Sequence, residues 1–275
     1  MRRVLSAAGR RRQAARHRLP PSNEGGAVIE RPLLKTENLS VSFSGFYAVR
    51  DLDFELAEGE LRVVIGPNGA GKTTLMDLIT GKTRPTRGRV YFDGHNITGL
   101  APSKISAKYR IGRKFQGPNL FENISVRENI EIALHGHSTV LRTLTYRRDA
   151  DAEARIGGIL EQIGLAGKSE MNAAALSHGE RQWLEIGMVI AQEPKLLILD
   201  EPTAGMTVAE TAKTGEMIRA LKERHTIIVV EHDMAFVRQV AENVTVLHQG
   251  EIIKEGLFSE VEKDPEVIRV YLQDF

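Results

Sequence analysis

The 275-residue chain has no cysteine, which excludes a disulfide framework, thiol catalysis and a cysteine-rich zinc site. A cytosolic address agrees with that absence. No stretch reaches the ~18 consecutive apolar residues that a spanning helix needs, so the chain is not expected to cross a membrane by itself. There is almost no net charge, with 37 basic against 36 acidic side chains. There is also no internal repeat, and no tandem second copy of the motifs described below. What remains is ordinary globular composition, 41% hydrophobic and 27% charged. At this length a core needs no disulfide or metal to hold it.

The near-zero charge hides an asymmetry. Residues 1–18 hold seven arginines (Arg2, Arg3, Arg10, Arg11, Arg12, Arg16 and Arg18) and no acid, which leaves 30 basic against 36 acidic side chains in the rest. A mildly acidic body argues against nucleic acid as the main partner. The arginine-rich head lacks an apolar run, so it does not read as a secretory signal or membrane anchor. Followed by Pro20, Pro21, Gly25 and Gly26, it reads as a disordered basic extension over residues 1–32. A weak contact with anionic lipid or RNA, or extra residues from an upstream start codon, are both open readings of it.

From Leu34 to Val64 the pattern is that of strands: Leu39–Val41–Phe43, Leu52–Phe54–Leu56 and Leu61–Val63–Ile65, separated by turns at Ser44-Gly45 and Glu58-Gly59. Antiparallel strands feeding one buried strand, Leu61–Ile65, fit these spacings. A glycine-rich loop follows, then a helix carrying Leu75, Leu78 and Ile79. Apolar residues recur at helical spacing in 124–134 and 152–163, so about 101–190 reads as a helix-rich insertion into an α/β body. Strand–helix alternation returns with strand Lys195–Leu199, helix Val208–Leu221, strand Thr226–Val230, helix Met234–Val240 and strand Val244–His248. That order predicts a largely parallel sheet. A last helix with Val267, Val270 and Tyr271 is expected on the surface.

The segment Gly66-Pro67-Asn68-Gly69-Ala70-Gly71-Lys72-Thr73 fits G-x-x-x-x-G-K-[ST] without a mismatch. Glycines let the backbone curl so that successive N–H groups face one anion, and the helix that follows adds its positive end. Lys72 is placed to reach the β- and γ-phosphates, and the Thr73 hydroxyl to bind Mg²⁺. With Thr74 these eight residues form the candidate nucleotide-binding set. By itself the loop says only that a nucleotide is bound, as in GTPases and kinases. A second element narrows the chemistry. Lys195-Leu196-Leu197-Ile198-Leu199-Asp200-Glu201 is an apolar strand ending in two acids. It delivers Asp200 to the carboxyl edge of the sheet, where ligands bind in such folds. There Asp200 helps to hold Mg²⁺ and Glu201 orients or deprotonates the attacking water.

Leu176-Ser177-His178-Gly179-Glu180-Arg181-Gln182 resembles the LSGGQ signature of ABC ATPases, and it precedes the Asp-Glu strand as in that family. The resemblance implies that Ser177 and Gly179 bind the γ-phosphate of ATP held by an opposing subunit. His178 departs from a glycine and Glu180 from the glutamine, and Glu180 can weaken the contact by repulsion. Ser-x-Gly before a helix also serves as a plain N-cap. Gln116, in Arg113-Lys114-Phe115-Gln116, resembles the glutamine loop that touches Mg²⁺ and water, and His232, after Glu231, resembles the switch histidine that contacts the γ-phosphate. Ala204-Gly205-Met206-Thr207 occupies the place of the D-loop, with Thr207 where the family keeps an acid. Phe43 lies where the family stacks an aromatic on adenine; core packing of this ring is the competing reading. Trp183 reads as packing, and His225 has no evident partner.

The resemblance covers about residues 33–275. It implies an α/β fold of the P-loop NTPase, ABC type, with a mixed RecA-like sheet core, an antiparallel β subdomain and a helical subdomain over about 101–190. The 104 residues that separate Lys72 from Ser177 leave no room for the long coiled coil of chromosome and repair ATPases. One cassette without fused membrane helices points to an importer subunit. Ile111-Gly112-Arg113-Lys114-Phe115-Gln116, Phe121-Glu122-Asn123, Gln182-Trp183-Leu184-Glu185-Ile186-Gly187-Met188 and Glu201-Pro202-Thr203-Ala204-Gly205-Met206-Thr207 look like the ATPases of urea importers, a branch of the branched-chain amino acid group. This implies two transmembrane permease subunits, a second, non-identical ATPase, a periplasmic solute-binding protein and a place on the cytoplasmic face of the inner membrane. The competing function is that of a soluble ABC ATPase acting on ribosomes or nucleic acid.

Overall fold

The computed structural model describes residues 31–114, 120–136 and 150–272, with side chains as far as residue 270. Among the described residues ten strands form two sheets. The first is antiparallel, in the order β2-β1-β4-β5, from β1 (Leu34–Phe43), β2 (Phe46–Leu56), β4 (Arg87–Phe92) and β5 (His95–Asn96). The second has the order β10-β9-β3-β8-β7-β6, from β3 (Leu61–Ile65), β6 (Ile111–Lys114), β7 (Leu196–Asp200), β8 (Thr226–Val230), β9 (Asn243–His248) and β10 (Glu251–Leu257). All its pairs are parallel except β9 with β10.

Among the described residues the α-helices longer than four residues are α1 (Lys72–Ile79), α2 (Val126–Leu134), α3 (Ala150–Gln162), α4 (His178–Ile190), α5 (Val208–Leu221), α6 (Met234–Val240) and α7 (Pro265–Leu272). Three of them open on the same device. Ser125, Ser177 and Thr207 each accept from the backbone N–H three residues on, while Glu128, Glu180 and Glu210 reach back to the cap's own N–H. Asp233 caps α6 through its side chain. In contrast, α1 opens at Gly71, which has no side-chain cap. Its first N–H groups are therefore left for another acceptor.

Strand alternation splits the core in two. Leu61, Val63, Ile65, Leu197, Leu199, Ile227 and Val229 pack with helices α2 to α6. Val64, Leu196, Ile198, Ile228 and Val230 pack with α1 and the antiparallel sheet. A strand buried on both sides must be apolar throughout, which is why β7 and β8 read as unbroken runs. The run expected at Lys195–Leu199 is displaced by one residue, so that Asp200 ends the strand.

Four strands were not anticipated. In β4 only Val90 and Phe92 are fully buried apolar residues, and Arg87 and Arg89 break the pattern. Strand β6 falls inside the range 101–190 read as helical. A short π-helical turn (Ile105–Tyr109) leads into it, and it then pairs parallel with β7. All four of its residues are buried, including Arg113 and Lys114, because their charges meet partners from distant segments. No local pattern announces such a strand. The same holds for β5 and β10, which lie at sheet edges and stay largely exposed or half-buried.

Ile228 has no exposed surface at the centre of the parallel sheet. Replacing it with alanine is expected to cost about 2–5 kcal/mol in chemical denaturation, the range for a large-to-small change in a packed core. A loss below about 1 kcal/mol contradicts the packing described.

Candidate active site

Strand β3 runs into the loop 66–71 and α1 leaves it. Two glycines there are demanded by close backbone approach. At Gly66 (φ 152°) a Cβ lies 2.2 Å from the Leu247 carbonyl oxygen, and at Gly71 (φ 103°) 2.5 Å from that of Ala48. The loop is further pinned by Ala70 N–H to the Pro67 carbonyl (3.1 Å) and Gly250 N–H to the Ala70 carbonyl (3.0 Å). Asn68, Gly69 and Thr73 are exposed, while Pro67 and Thr74 are half-buried.

Lys72 is buried, and its ammonium donates to the carbonyls of Gly66 (2.5 Å) and Pro67 (3.0 Å). Burial pulls its pKa below the usual lysine value, against the opposing pull of Glu201, Asp200 and Glu231. One cation thus lies within electrostatic reach of three carboxylates that come from the ends of β7 and β8.

These carboxylates differ in environment. Asp200 is 1% exposed; its Oδ2 accepts from Arg113 (2.7 Å), and its Oδ1 is buried with no hydrogen-bond partner among the described residues. Glu201 follows in the left-handed region (φ 48°), which a non-glycine residue rarely adopts, with its N–H bonded to the Val230 carbonyl. Its carboxylate is partly exposed, and Oε1 lies 3.7 Å from Nδ1 of His232. Glu231 is buried and fully engaged by the Thr203 N–H, the Thr203 hydroxyl and the His232 N–H. It is a brace for the turns after β7 and β8, a role the sequence did not single out.

Lys72, Asp200, Glu201 and His232 are therefore assembled in one place. Ser177 and Gly179 belong to a different cluster at the start of α4. The Ser177 hydroxyl donates to Glu210 (3.0 Å), and a Cβ on Gly179 meets the Glu210 carboxyl carbon at 2.6 Å. The Thr207 N–H and hydroxyl, and then the Ser177 hydroxyl, hold Glu210 below the ordinary carboxylate pKa. Glu180, which can weaken a nucleotide contact by repulsion, turns back onto the Ser177 N–H (3.1 Å) and pairs with Lys168 (2.6 Å). Burial works against its charge, but these two contacts win and lower its pKa. His178 joins Gln182 at the Ala204 carbonyl (3.0 and 3.2 Å), tying α4 to the segment after Glu201.

Phe43 is 53% exposed at the tip of the β1–β2 hairpin, beside the open Phe46, so it is not a core residue. Trp183 is core: its ring lies under the Lys213 ammonium at 4.2 Å and its N–H donates to Thr214. His225, expected to lack a partner, bonds through Nδ1 to the Pro194 carbonyl. Gln116 lies outside the described residues.

A family model described as ABC transporter matches residues 49–204. The chain belongs to the ABC transporter family. The high-affinity branched-chain amino acid transport ATP-binding protein LivG of Salmonella typhimurium is 36% identical over 253 residues, 89% of this chain and 99% of its own length. Among solved structures, an ATP-binding cassette of an ABC transporter in its ADP conformation matches with a TM-score of 0.77 at 30% identity, covering 88% of this chain and 98% of its own. The dimeric structure of a bacterial ABC transporter cassette matches with a TM-score of 0.70 at 25% identity, covering 82% and 98%. The fold is that of an ABC-type P-loop NTPase, and the chain is an ATPase that uses ATP with Mg²⁺. No helix among the described residues of this cassette is long and apolar enough to cross a membrane.

Gly71→Ala forces a side chain into a left-handed conformation against the Ala48 carbonyl. The expected cost is about 1–3 kcal/mol of stability. Thermal unfolding without nucleotide checks it, and an unchanged melting temperature contradicts the loop geometry.

Proposed function

We propose that this ABC ATPase grips the phosphate tail of ATP with the 66–74 loop and hydrolyses it with Glu201, in a composite site closed by a second ATPase subunit. The observation that carries this reading is the Lys72 ammonium, held on two loop carbonyls within electrostatic reach of Asp200, Glu201 and Glu231. Backbone carbonyls are weak partners for a desolvated cation, and phosphate oxygens are stronger ones. The uncapped start of α1 adds N–H groups to the same anion.

For Mg²⁺ the fit is good. The unpartnered Asp200 Oδ1 is a hard oxygen, and the exposed Thr73 hydroxyl lies on the first turn of α1. Among the described residues there is no group of three or more His, Cys, Asp or Glu side chains that could hold a metal unaided. That suits an ion bound together with substrate phosphates, as Mg²⁺ usually is. The ion neutralises charge on the phosphates; Asp200 and Thr73, with Gln116, are the residues that would hold it.

Glu201 takes the part of base or water-orienting group. Its carboxylate is partly open, and His232 beside it takes the part of the γ-phosphate contact. Ser177, exposed at the capped start of α4, and Gly179, buried behind it against Glu210, serve the ATP of the opposing subunit. The exposed Phe43 offers a face for adenine. Binding of ATP between two such cassettes closes them and hydrolysis reopens them, and the motion is passed to the membrane subunits near Gln116.

The transporter is an importer of the branched-chain amino acid group, supported by LivG over nearly its whole length. Within it, the segments around Arg113, Trp183 and Met206 favour urea as the solute. The partners are two permeases, a second non-identical ATPase and a periplasmic binding protein, with this chain on the cytoplasmic face of the inner membrane.

Glu201→Gln is expected to keep ATP affinity while turnover of the assembled transporter falls by about a hundredfold or more, the usual worth of a general base. Normal turnover removes Glu201 from the mechanism. Uptake of labelled urea and labelled leucine by a deletion strain decides the solute. Loss of urea uptake alone supports the narrower reading, and loss of leucine uptake alone overturns it.

A further inference from the structure

One buried group at the edge of this site has no part in the mechanism so far. Arg113 lies on β6, the strand next to β7, with only 3% of its side chain exposed. Its guanidinium is forked between two elements of the site. One nitrogen donates to Asp77 Oδ1 on α1 (2.5 Å), and the other to Asp200 Oδ2 at the end of β7 (2.7 Å). Asp77 is five residues beyond Lys72, on the helix that carries the phosphate loop. A single planar cation therefore joins the loop helix to the carboxylate strand.

The two oxygens of Asp200 are treated differently. Oδ2 is occupied by Arg113, while Oδ1 is buried and has no partner among the described residues. A lone carboxylate can turn and offer either oxygen, or both. A charge-assisted bond to one oxygen fixes the plane of the group and leaves the other as the free acceptor. An ion pair this deep is a poor way to gain stability alone, since its desolvation offsets much of its attraction. It is a good way to hold one orientation.

We propose that Arg113 is a positioning residue for Asp200, clamping Oδ2 against Asp77 so that Oδ1 alone is presented to the magnesium of bound ATP. The proposal rests on the assignment of Asp200 to the cation made above. Lysine is a weak substitute, because a single ammonium lacks the fork that spans both carboxylates.

The test compares binding of a fluorescent ATP analogue by the full-length chain in magnesium and in EDTA, for wild type, Arg113→Lys, Asp77→Asn and Asp200→Asn. The gain in affinity from magnesium is expected to shrink by about tenfold in Arg113→Lys, in line with loss of an outer contact to a metal ligand. Affinity in EDTA should stay within about twofold of wild type, since no phosphate contact is touched. Asp77→Asn, which loosens the far side of the clamp without touching Asp200, should shift the same quantity in the same direction. A general packing defect lowers both affinities together, and that outcome overturns the proposal, as does a magnesium gain that stays the same or rises in Arg113→Lys. Asp200→Asn separates the two assignments. If it keeps the full magnesium gain, the assignment of Asp200 fails; if it loses the gain while Arg113→Lys retains it, only the role of Arg113 fails.

Discussion

A buried ammonium ion constrains everything around it. Lys72 is held out of water at the start of α1, with charge partners that come from the ends of two neighbouring strands. Burying such a charge is costly unless opposite charge and hydrogen bonds are arranged in advance. The parallel sheet supplies that arrangement. Strands β7 and β8 carry unbroken apolar runs, Leu196–Leu199 and Ile227–Val230, so they insert fully, and the first charged positions come at or just past their ends. Asp200, Glu201 and Glu231 occupy these positions. The phosphate loop, packed against Ala48 and Leu247 and bonded to Gly250, brings the lysine to meet them.

The second cluster obeys a different logic. Helices α4 and α5 start side by side, each with a capping box, and the boxes share members: the Ser177 hydroxyl that caps α4 also donates to Glu210, which caps α5. His178 and Gln182 bind the same Ala204 carbonyl. The signature-like segment and the segment after Glu201 are thus one mechanical unit, in which the two departures from the family pattern, His178 and Glu180, both have structural partners.

Much of this was legible in the residues. The phosphate loop is a contiguous spacing whose flanks, a buried strand and a helix, are themselves readable, and β7 and β8 announce themselves as unbroken apolar runs. What escaped depends on contacts between distant segments. Strand β6 hides because Ile-Gly-Arg-Lys shows no alternation, and its charges are tolerable only beside Asp77, Asp200 and Glu185. The part of Arg113 could not be read, since its partners lie 36 and 87 residues away. The part of Glu180 in the capping box is available in the Ser-x-x-Glu spacing, whereas its pairing with Lys168 depends on a contact 12 residues away. Phe43 was ambiguous by sequence, as a terminal strand position can face either way, and the structure turns it to solvent.

The central claim is that the Lys72 ammonium exchanges loop carbonyls for phosphate oxygens. Equilibrium titration of the full-length chain with MgATP tests it most directly, with Lys72→Ala alongside. The account predicts saturable binding at one site per chain, with affinity lost by about a hundredfold or more in the variant, as for removal of a charged partner from a desolvated site. Equal affinity in the two proteins contradicts it.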